Sequence, residues 1–127
     1  MPVCNLVYDG KCELTVVVDI HGVEKELEVL IDTGFTTGSG YAIKLPSNYA
    51  NFAMFTGTGY VKVADGRLVA AATIPDAKIV QIGKHKLKEP INLPALFMDG
   101  FCVIGVYFLQ NFHVEFDGPK KVAYFSF

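Results

Sequence analysis

The most informative stretch of this 127-residue sequence is Leu30-Ile31-Asp32-Thr33-Gly34. An apolar strand ends directly in a carboxylate, which is followed by a small hydroxyl residue and a glycine. Gly34 tolerates dihedral angles that other residues avoid, so its amide can approach the Asp32 carboxylate closely. A strand that simply ends in an Asx turn can carry the same letters, and short motifs recur by chance. The meaning of Asp32 therefore depends on the sequence around it.

The residues before Asp32 alternate between apolar and polar, the period-two pattern of a strand with one buried face. The alternation covers 14–20 and 24–31, and the His21-Gly22 pair between these segments is typical of a tight hairpin turn. We therefore expect an antiparallel hairpin whose second strand runs directly into Asp32.

The rest of the chain also indicates strands, with two short helical segments. Ser47 is predicted to cap a helical turn at 48–52, and a short helix is predicted at 106–111. Prolines such as Pro75 and Pro90 are predicted to interrupt extended segments, because proline cannot donate to a strand ladder. The predicted strands after Gly34 are 41–43, 57–63, 67–74, 78–82, 87–98, 101–104, 113–117 and 121–127. This pattern favours an all-β protein.

The composition suits one globular domain that spans residues 1–127. Hydrophobic residues make up 51% of the chain and charged residues only 19%, which excludes a disordered protein. A formal charge of −2 offers no basic surface for nucleic acid or an anionic membrane, so neither partner is expected. The low charge and an apolar last strand, 121–127, instead favour a second copy of the chain that covers apolar surface.

The cysteines and the N-terminus predict a cytoplasmic protein. Three cysteines with no CxxC pair are expected to be thiols in a reducing compartment. The first residues lack a basic segment followed by an apolar run, and no apolar stretch reaches the roughly 18 residues of a membrane-spanning helix. His21, His85 and His113 do not fall at metal-ligand spacings, so neither a metal nor a cofactor is expected.

Three features follow one another at wide spacing along the chain. Asp32-Thr33-Gly34 ends the N-terminal hairpin, a second hairpin is centred on Ala64-Asp65-Gly66, and Val103-Ile104-Gly105 precedes a short helix and a terminal strand. This arrangement, from about residue 14 to 127, resembles the retroviral-type (retropepsin-like) aspartic proteases, especially archaeal and bacterial members with Phe after the motif, as Phe35 is here. The resemblance implies a closed or nearly closed β-barrel with one short helix near the C-terminus, acting as a homodimer.

The resemblance also assigns roles to residues. Asp32 of each subunit would form the catalytic pair, with Thr33 bracing the two loops and Gly34 donating its amide to the carboxylate. Ala64-Asp65-Gly66 would be the tip of a flap that closes over an extended peptide. Ile104-Gly105 would pack under the active-site loop.

Phe35 and the pair Val106-Tyr107 depart from the pattern of the family. Many members follow the motif with Ala, Ser or Thr, and a hydroxyl there hydrogen-bonds the outer carboxylate oxygen. Phe35 has no hydroxyl, so Thr36 or Thr37 is expected to take that role in supporting the active site. After Gly105, the chain has Val106-Tyr107 where relatives carry a polar pair.

Three functional hypotheses follow. The first is an aspartic endopeptidase that activates water with two Asp32 carboxylates, without metal, cofactor or covalent intermediate, on an extended peptide or protein substrate. The second is a noncatalytic dimeric module that binds extended peptides in the same groove. The third is a monomeric β-barrel in which Asp32 only ends a strand.

Overall fold

The computed structural model describes residues 3–6, 12–35, 40–63 and 65–126, with side chains from residue 12 onward. Most of these residues lie in strands. The strands are β1 Val3–Leu6, β2 Cys12–Ile20, β3 Val23–Ile31, β4 Ile43–Leu45, β5 Gly57–Lys62, β6 Leu68–Ile82, β7 His85–Phe97, β8 Val103–Ile104, β9 His113–Asp117 and β10 Val122–Ser126. The helices described are a 3₁₀ helix, Ser47–Phe52, and α1, Val106–Leu109.

Six strands close into a barrel. Their order around the ring is β6, β7, β4, β8, β3 and β2, and pairing between β2 and β6 completes the circle. The strands β1, β10 and β9 continue the sheet from the edge of β2. The predicted all-β fold with a closed barrel and little helix is therefore confirmed.

The hairpin of β2 and β3 follows directly from its sequence. Val16 and Val18, on the face of β2 that points into the barrel, are fully buried. The turn joins Ile20 to Val23, and both of its central residues have positive φ, +47° at His21 and +96° at Gly22. This backbone matches the right-handed twist of paired strands, and it explains why the predicted hairpin is confirmed.

The prolines do not end the long strands, which corrects the predicted interruptions. Pro75 lies inside β6, at a shift of register between Ile74 and Ala77 where the ladder with β7 is irregular. Pro90 likewise lies inside β7. A bulge tolerates a residue that lacks an N–H, because the ladder donates no hydrogen bond there.

The two helical segments also differ from expectation. Ser47 does not cap the 3₁₀ helix, whose N-cap residue is Pro46; instead its hydroxyl is hydrogen-bonded to Asp99. The helix α1 ends at Leu109, before the predicted 111. The Asn111 side-chain amide donates to the Phe108 carbonyl oxygen, with Nδ2···O at 3.0 Å, and so satisfies a carbonyl that a longer helix would have used.

The core fills the barrel and extends under α1. Phe108 and Phe125 are fully buried, and Phe112 contacts both rings, with centroid distances of 5.3 and 5.9 Å. These aromatic contacts attach α1 to β10 and fix the end of β8, which precedes α1 directly.

The last strand was predicted to be buried on both faces. In the single chain, Ala123 and Phe125 are buried, whereas Val122 and Tyr124 on the other face are half-buried. Phe127 lies outside the described residues. The half-buried face leaves room for a second copy, and the homodimer stays a prediction.

The cysteines correct one expectation. Cys102 is a free thiol, as predicted, but Cys12 is disulfide-bonded. The cysteine content therefore gives no support to a reducing compartment. Separately, within the described segments no helix is long and apolar enough to cross a membrane.

Candidate active site

Asp32 is positioned by a strand that is distant in sequence. The short strand β8 lies between β3 and β4, pairing in parallel with β3 and antiparallel with β4. The Asp32 N–H donates to the Ile104 carbonyl oxygen, and the Leu30 N–H donates to that of Cys102, both with N···O at 2.9 Å. The start of the loop is thus held by the backbone of β8.

The loop itself holds the carboxylate. The Phe35 N–H donates to the Asp32 carbonyl oxygen at 2.9 Å, which closes a tight turn. The Gly34 N–H donates to Oδ1 of Asp32, also at 2.9 Å. Asp32, Thr33 and Gly34 are all exposed in the single chain. The result is a carboxylate that is oriented by its own loop and accessible to water or a substrate.

Gly105 allows a close approach between the Asp32 loop and the segment after β8. A Cβ at position 105 would overlap the carbonyl oxygen of Phe35 and lie 3.1 Å from its carbonyl carbon. The same Cβ would lie 3.2 Å from Cδ1 of the Phe35 ring. Ile104 and Gly105 therefore lie directly against the loop, and Phe35 packs on the glycine. Thr36 and Thr37, the expected hydroxyl partners of Asp32, lie outside the described residues.

Backbone hydrogen bonds close the second hairpin on both sides of its tip. Strands β5 and β6 pair from Gly57 with Thr73 to Lys62 with Leu68. Beyond this ladder, the Val63 N–H donates to the Arg67 carbonyl oxygen, and the Gly66 N–H donates to that of Val63, each at 2.9 Å. Gly66 has φ of +89°, a conformation that favours glycine.

The Asp65 carboxylate accepts two hydrogen bonds from Arg67 at the tip of this hairpin. Its Oδ1 accepts the Arg67 backbone N–H at 3.0 Å, and its Oδ2 accepts the side-chain Nε–H at 2.6 Å. Both side chains are largely exposed, so the ion pair contributes little to stability. Ala64, the third predicted residue of the tip, lies outside the described residues.

The hairpin is packed on one face and exposed on the other. Gly59 is buried, and a Cβ there would overlap the Tyr41 hydroxyl and lie 2.9 Å from Cγ2 of Thr73. On the opposite face, Tyr60 and Leu68 are 65% and 70% exposed. Tyr41 was predicted only as the start of a strand, but β4 begins at Ile43 and Tyr41 precedes it. No local pattern marks its contact with a glycine 18 residues away.

Cys102 lies next to this site through its backbone, yet it is a poor nucleophile. Burial raises the pKa of its thiol, and the nearby Lys44 cation opposes that rise. Because the thiolate is the reactive form, a raised pKa argues against a thiol mechanism. Cys102 is best described as a packing residue, as predicted.

Metal chemistry has no support within residues 12–35, 40–63 and 65–126. No group of three or more His, Cys, Asp or Glu side chains in these segments could hold a metal ion. His21 and His113 each contact a single carboxylate, Asp76 and Glu115 respectively. Neither of these hydrogen bonds involves Asp32.

The fold is shared with a known class of protein. The chain is similar to the crystal structure of a retropepsin-like aspartic protease from Rickettsia conorii, with a TM-score of 0.53 and 16% sequence identity. The superposition covers 98% of this chain and 90% of that chain. No protein-family model and no curated protein matches the sequence. The fold is thus retropepsin-like, while the roles assigned to Asp32 and the other site residues stay predictions.

Proposed function

We propose that the protein is an aspartic endopeptidase whose catalytic pair is Asp32 and the Asp32 of a second copy. The observation that carries this proposal is an exposed carboxylate at the end of β3, held by the Gly34 amide at 2.9 Å, in a retropepsin-like barrel. One chain contributes one such carboxylate, and hydrolysis by this route needs two. A twofold dimer supplies the second.

The chemistry needs a shared proton. Two carboxylates about 3 Å apart cannot both be ionised, so the pair retains one proton between them. The ionised member takes a proton from a water molecule as its oxygen attacks the peptide carbonyl carbon, and the protonated member gives its proton to the carbonyl oxygen. The tetrahedral intermediate then breaks its C–N bond: one of its hydroxyl groups gives a proton to the ionised member of the pair, and the protonated member gives its proton to the departing amine, which restores the singly protonated pair.

Apolar surface beside Asp32 supports the dimer. Val106 and Tyr107 follow Gly105, which lies against the Asp32 loop, and they are 44% and 36% exposed. Exposed apolar side chains next to an exposed carboxylate are what an interface around a twofold axis would cover. Thr33, also exposed, would then contact the other subunit.

The hairpin of β5 and β6 would close over the substrate. The strand β5 stands at the end of the strand order, so one of its edges is free of partners within the described sheet. An extended peptide binds such an edge through backbone hydrogen bonds, which favours recognition of an unfolded segment. Val61 and Val69 are a cross-strand pair on the same face as Gly59. On that face they would contact the side chains of the bound peptide.

The test is a digest of a peptide library, read by mass spectrometry from acidic to neutral pH. Wild type is compared with Asp32→Asn and with Glu24→Gln, which removes an exposed carboxylate at the far end of β3. We expect identical cuts from wild type and Glu24→Gln and none from Asp32→Asn. Equal cleavage by Asp32→Asn would refute the proposal.

One observation favours a second candidate, a dimeric module that binds peptides without cleaving them. The Phe35 ring packs against Gly105, so position 35 offers Asp32 no hydroxyl. Under this alternative, wild type and Asp32→Asn retain the same extended peptides in a pull-down from the library, and neither cuts them.

A further inference from the structure

His21 makes two hydrogen bonds that join distant parts of the chain. It lies in the turn between β2 and β3, and its side chain is only 8% exposed. The Met54 backbone N–H donates to its Nδ1 at 2.7 Å. Its Nε2 lies 2.9 Å from Oδ1 of Asp76. Because Nδ1 accepts a hydrogen bond, the proton of the neutral ring is on Nε2, which donates to Asp76.

These two partners lie on the two chain segments, here called the legs, from which the β5–β6 hairpin extends. Met54 precedes β5 by three residues, and Asp76 follows Thr73 by three residues. Thr73 is the residue that pairs with Gly57, the first residue of β5. One imidazole therefore holds the chain just before the hairpin begins and just after its ladder ends.

The contacts lie where the backbone gives little support of its own. Asp76 is within the register shift of β6, between Ile74 and Ala77, where pairing with β7 is irregular. Met54 is outside the strands. The Phe55 ring, 67% exposed, lies 5.5 Å from the imidazole between centroids. Side-chain contacts to His21 thus take the place of ladder hydrogen bonds at the base of the hairpin.

We propose that His21 is a positioning residue that clips the base of the β5–β6 hairpin to the β2–β3 turn and limits how freely the hairpin opens. Loss of either hydrogen bond releases one leg, and loss of both releases the hairpin as a unit. The effect on catalysis rests on the proposed function, since a hairpin that opens more freely closes less firmly over a peptide.

Two substitutions separate the two contacts. His21→Gly removes both hydrogen bonds, and glycine suits the positive φ of position 21. His21→Asn also tolerates that φ, and its Oδ1 can replace Nδ1 as the acceptor for Met54 while the bond to Asp76 is lost. Asp76→Asn is the matched control, because its amide oxygen can still accept from Nε2–H.

The primary measurement is amide hydrogen exchange. In His21→Gly we expect residues 57–62 and 68–73 to exchange about tenfold faster, the size of effect that one or two lost hydrogen bonds produce. His21→Asn should give an intermediate increase and Asp76→Asn little change, while amides of β2 and β3 keep their wild-type rates. Wild-type rates in the hairpin of a folded His21→Gly protein would overturn the proposal, as would equal acceleration in every strand.

Two further readouts keep the test independent of folding and of catalysis. If His21→Gly does not fold, the comparison of His21→Asn with Asp76→Asn decides. Nitrogen NMR of the wild-type imidazole should show an unprotonated Nδ1 and a protonated Nε2, and the opposite tautomer would contradict the clip. Neither hydrogen exchange nor nitrogen NMR needs hydrolysis, so the proposed role of His21 can be tested even if the protein proves inactive. If the protein does cleave peptides, His21→Asn should raise KM more than it lowers kcat.

Discussion

At the scale of single residues, two glycines set the position of the Asp32 carboxylate. Gly34 donates its amide to Oδ1, and a Cβ there would already lie 3.1 Å from that oxygen. Gly105 lets the chain after β8 touch the carbonyl group of Phe35. Gly34 orients the carboxylate, and Gly105 allows the loop after β3 to pack closely against the segment after β8.

Gly105→Ala should destabilise the fold. The added methyl overlaps backbone atoms of Phe35 rather than a flexible side chain, so the loop or the start of α1 must move. We expect a loss of about 1–3 kcal/mol in the free energy of unfolding, measured by urea denaturation. Gly118→Ala is the control, because a Cβ there meets nothing within 4 Å. Equal stability of the two variants would contradict this account.

The thiol of Cys102 should react slowly at neutral pH. Burial raises its pKa, so the thiolate forms only as the pH rises, and the alkylation rate by iodoacetamide should increase with pH. Lys44 opposes the rise in pKa. Lys44→Gln should therefore raise the pKa further and slow alkylation at a given pH, whereas Lys84→Gln in an exposed turn should not. Faster alkylation of Lys44→Gln would show that the cation does not stabilise the thiolate.

At the scale of elements, the β5–β6 hairpin has one packed face and one exposed face. Gly59 packs against Tyr41 and Thr73 at the base, and His21 holds both legs. Tyr60 and Leu68 stand in solvent. Such an element can bend about its base without unfolding, which suits the closing role proposed for it.

Gly59→Ala should lift the base of this hairpin. Its methyl would overlap the Tyr41 hydroxyl and crowd Thr73, so the strand moves outward unless these side chains move away. We expect faster hydrogen exchange in 57–62 and 68–73 with a modest loss of overall stability, of about 1–3 kcal/mol. Gly118→Ala again serves as the reference. Unchanged hydrogen-exchange rates in the hairpin would mean that the Tyr41 side chain moves away at little cost and does not anchor the base.

At the scale of the whole molecule, one chain presents half of the proposed site. The barrel closes within the chain through pairing of β2 with β6, and the Asp32 loop remains open to solvent. Exposed Val106 and Tyr107 lie beside that loop. The complete proposed site therefore requires two copies.

Mixing wild-type and Asp32→Asn chains tests this directly. If subunits exchange at random, an equal mixture places half of the wild-type chains in dimers with one carboxylate, and activity per wild-type chain falls to about half. Glu24→Gln chains added in the same amount should leave activity per chain unchanged. Sedimentation velocity should show dimers in each sample. No loss of activity on mixing would argue for a site within one chain.

The pH dependence follows from the shared proton of the pair. As pH rises, that proton is lost, the acid that protonates the carbonyl oxygen disappears, and the rate falls. The measurement is kcat/KM on a cleaved peptide from acidic to alkaline pH, with folding checked by circular dichroism at each pH. A rate that keeps rising into alkaline pH is incompatible with the carboxylate pair.

Local features of the chain were predictable, and distant contacts were not. The alternation before Asp32 and the His21-Gly22 turn predicted the first hairpin because a strand and a two-residue turn depend on neighbours in sequence. The cap predicted at Ser47 was wrong because the Ser47 hydroxyl donates instead to Asp99, 52 residues away. The strand containing Pro75 continues because β7 pairs around a bulge. Both of these errors have their cause in a partner far along the chain.

The all-β class, the first hairpin and the position of Asp32 at the end of a strand could be predicted from the sequence alone, because side-chain alternation and turn chemistry act over a few residues. The position of β8 between β3 and β4, the closure of the barrel by β2 and β6, and the contact of Gly105 with Phe35 are visible only in the folded chain. These contacts join segments separated by tens of residues. They form because the apolar faces of the strands are buried together, and no local pattern specifies which strand lies beside which.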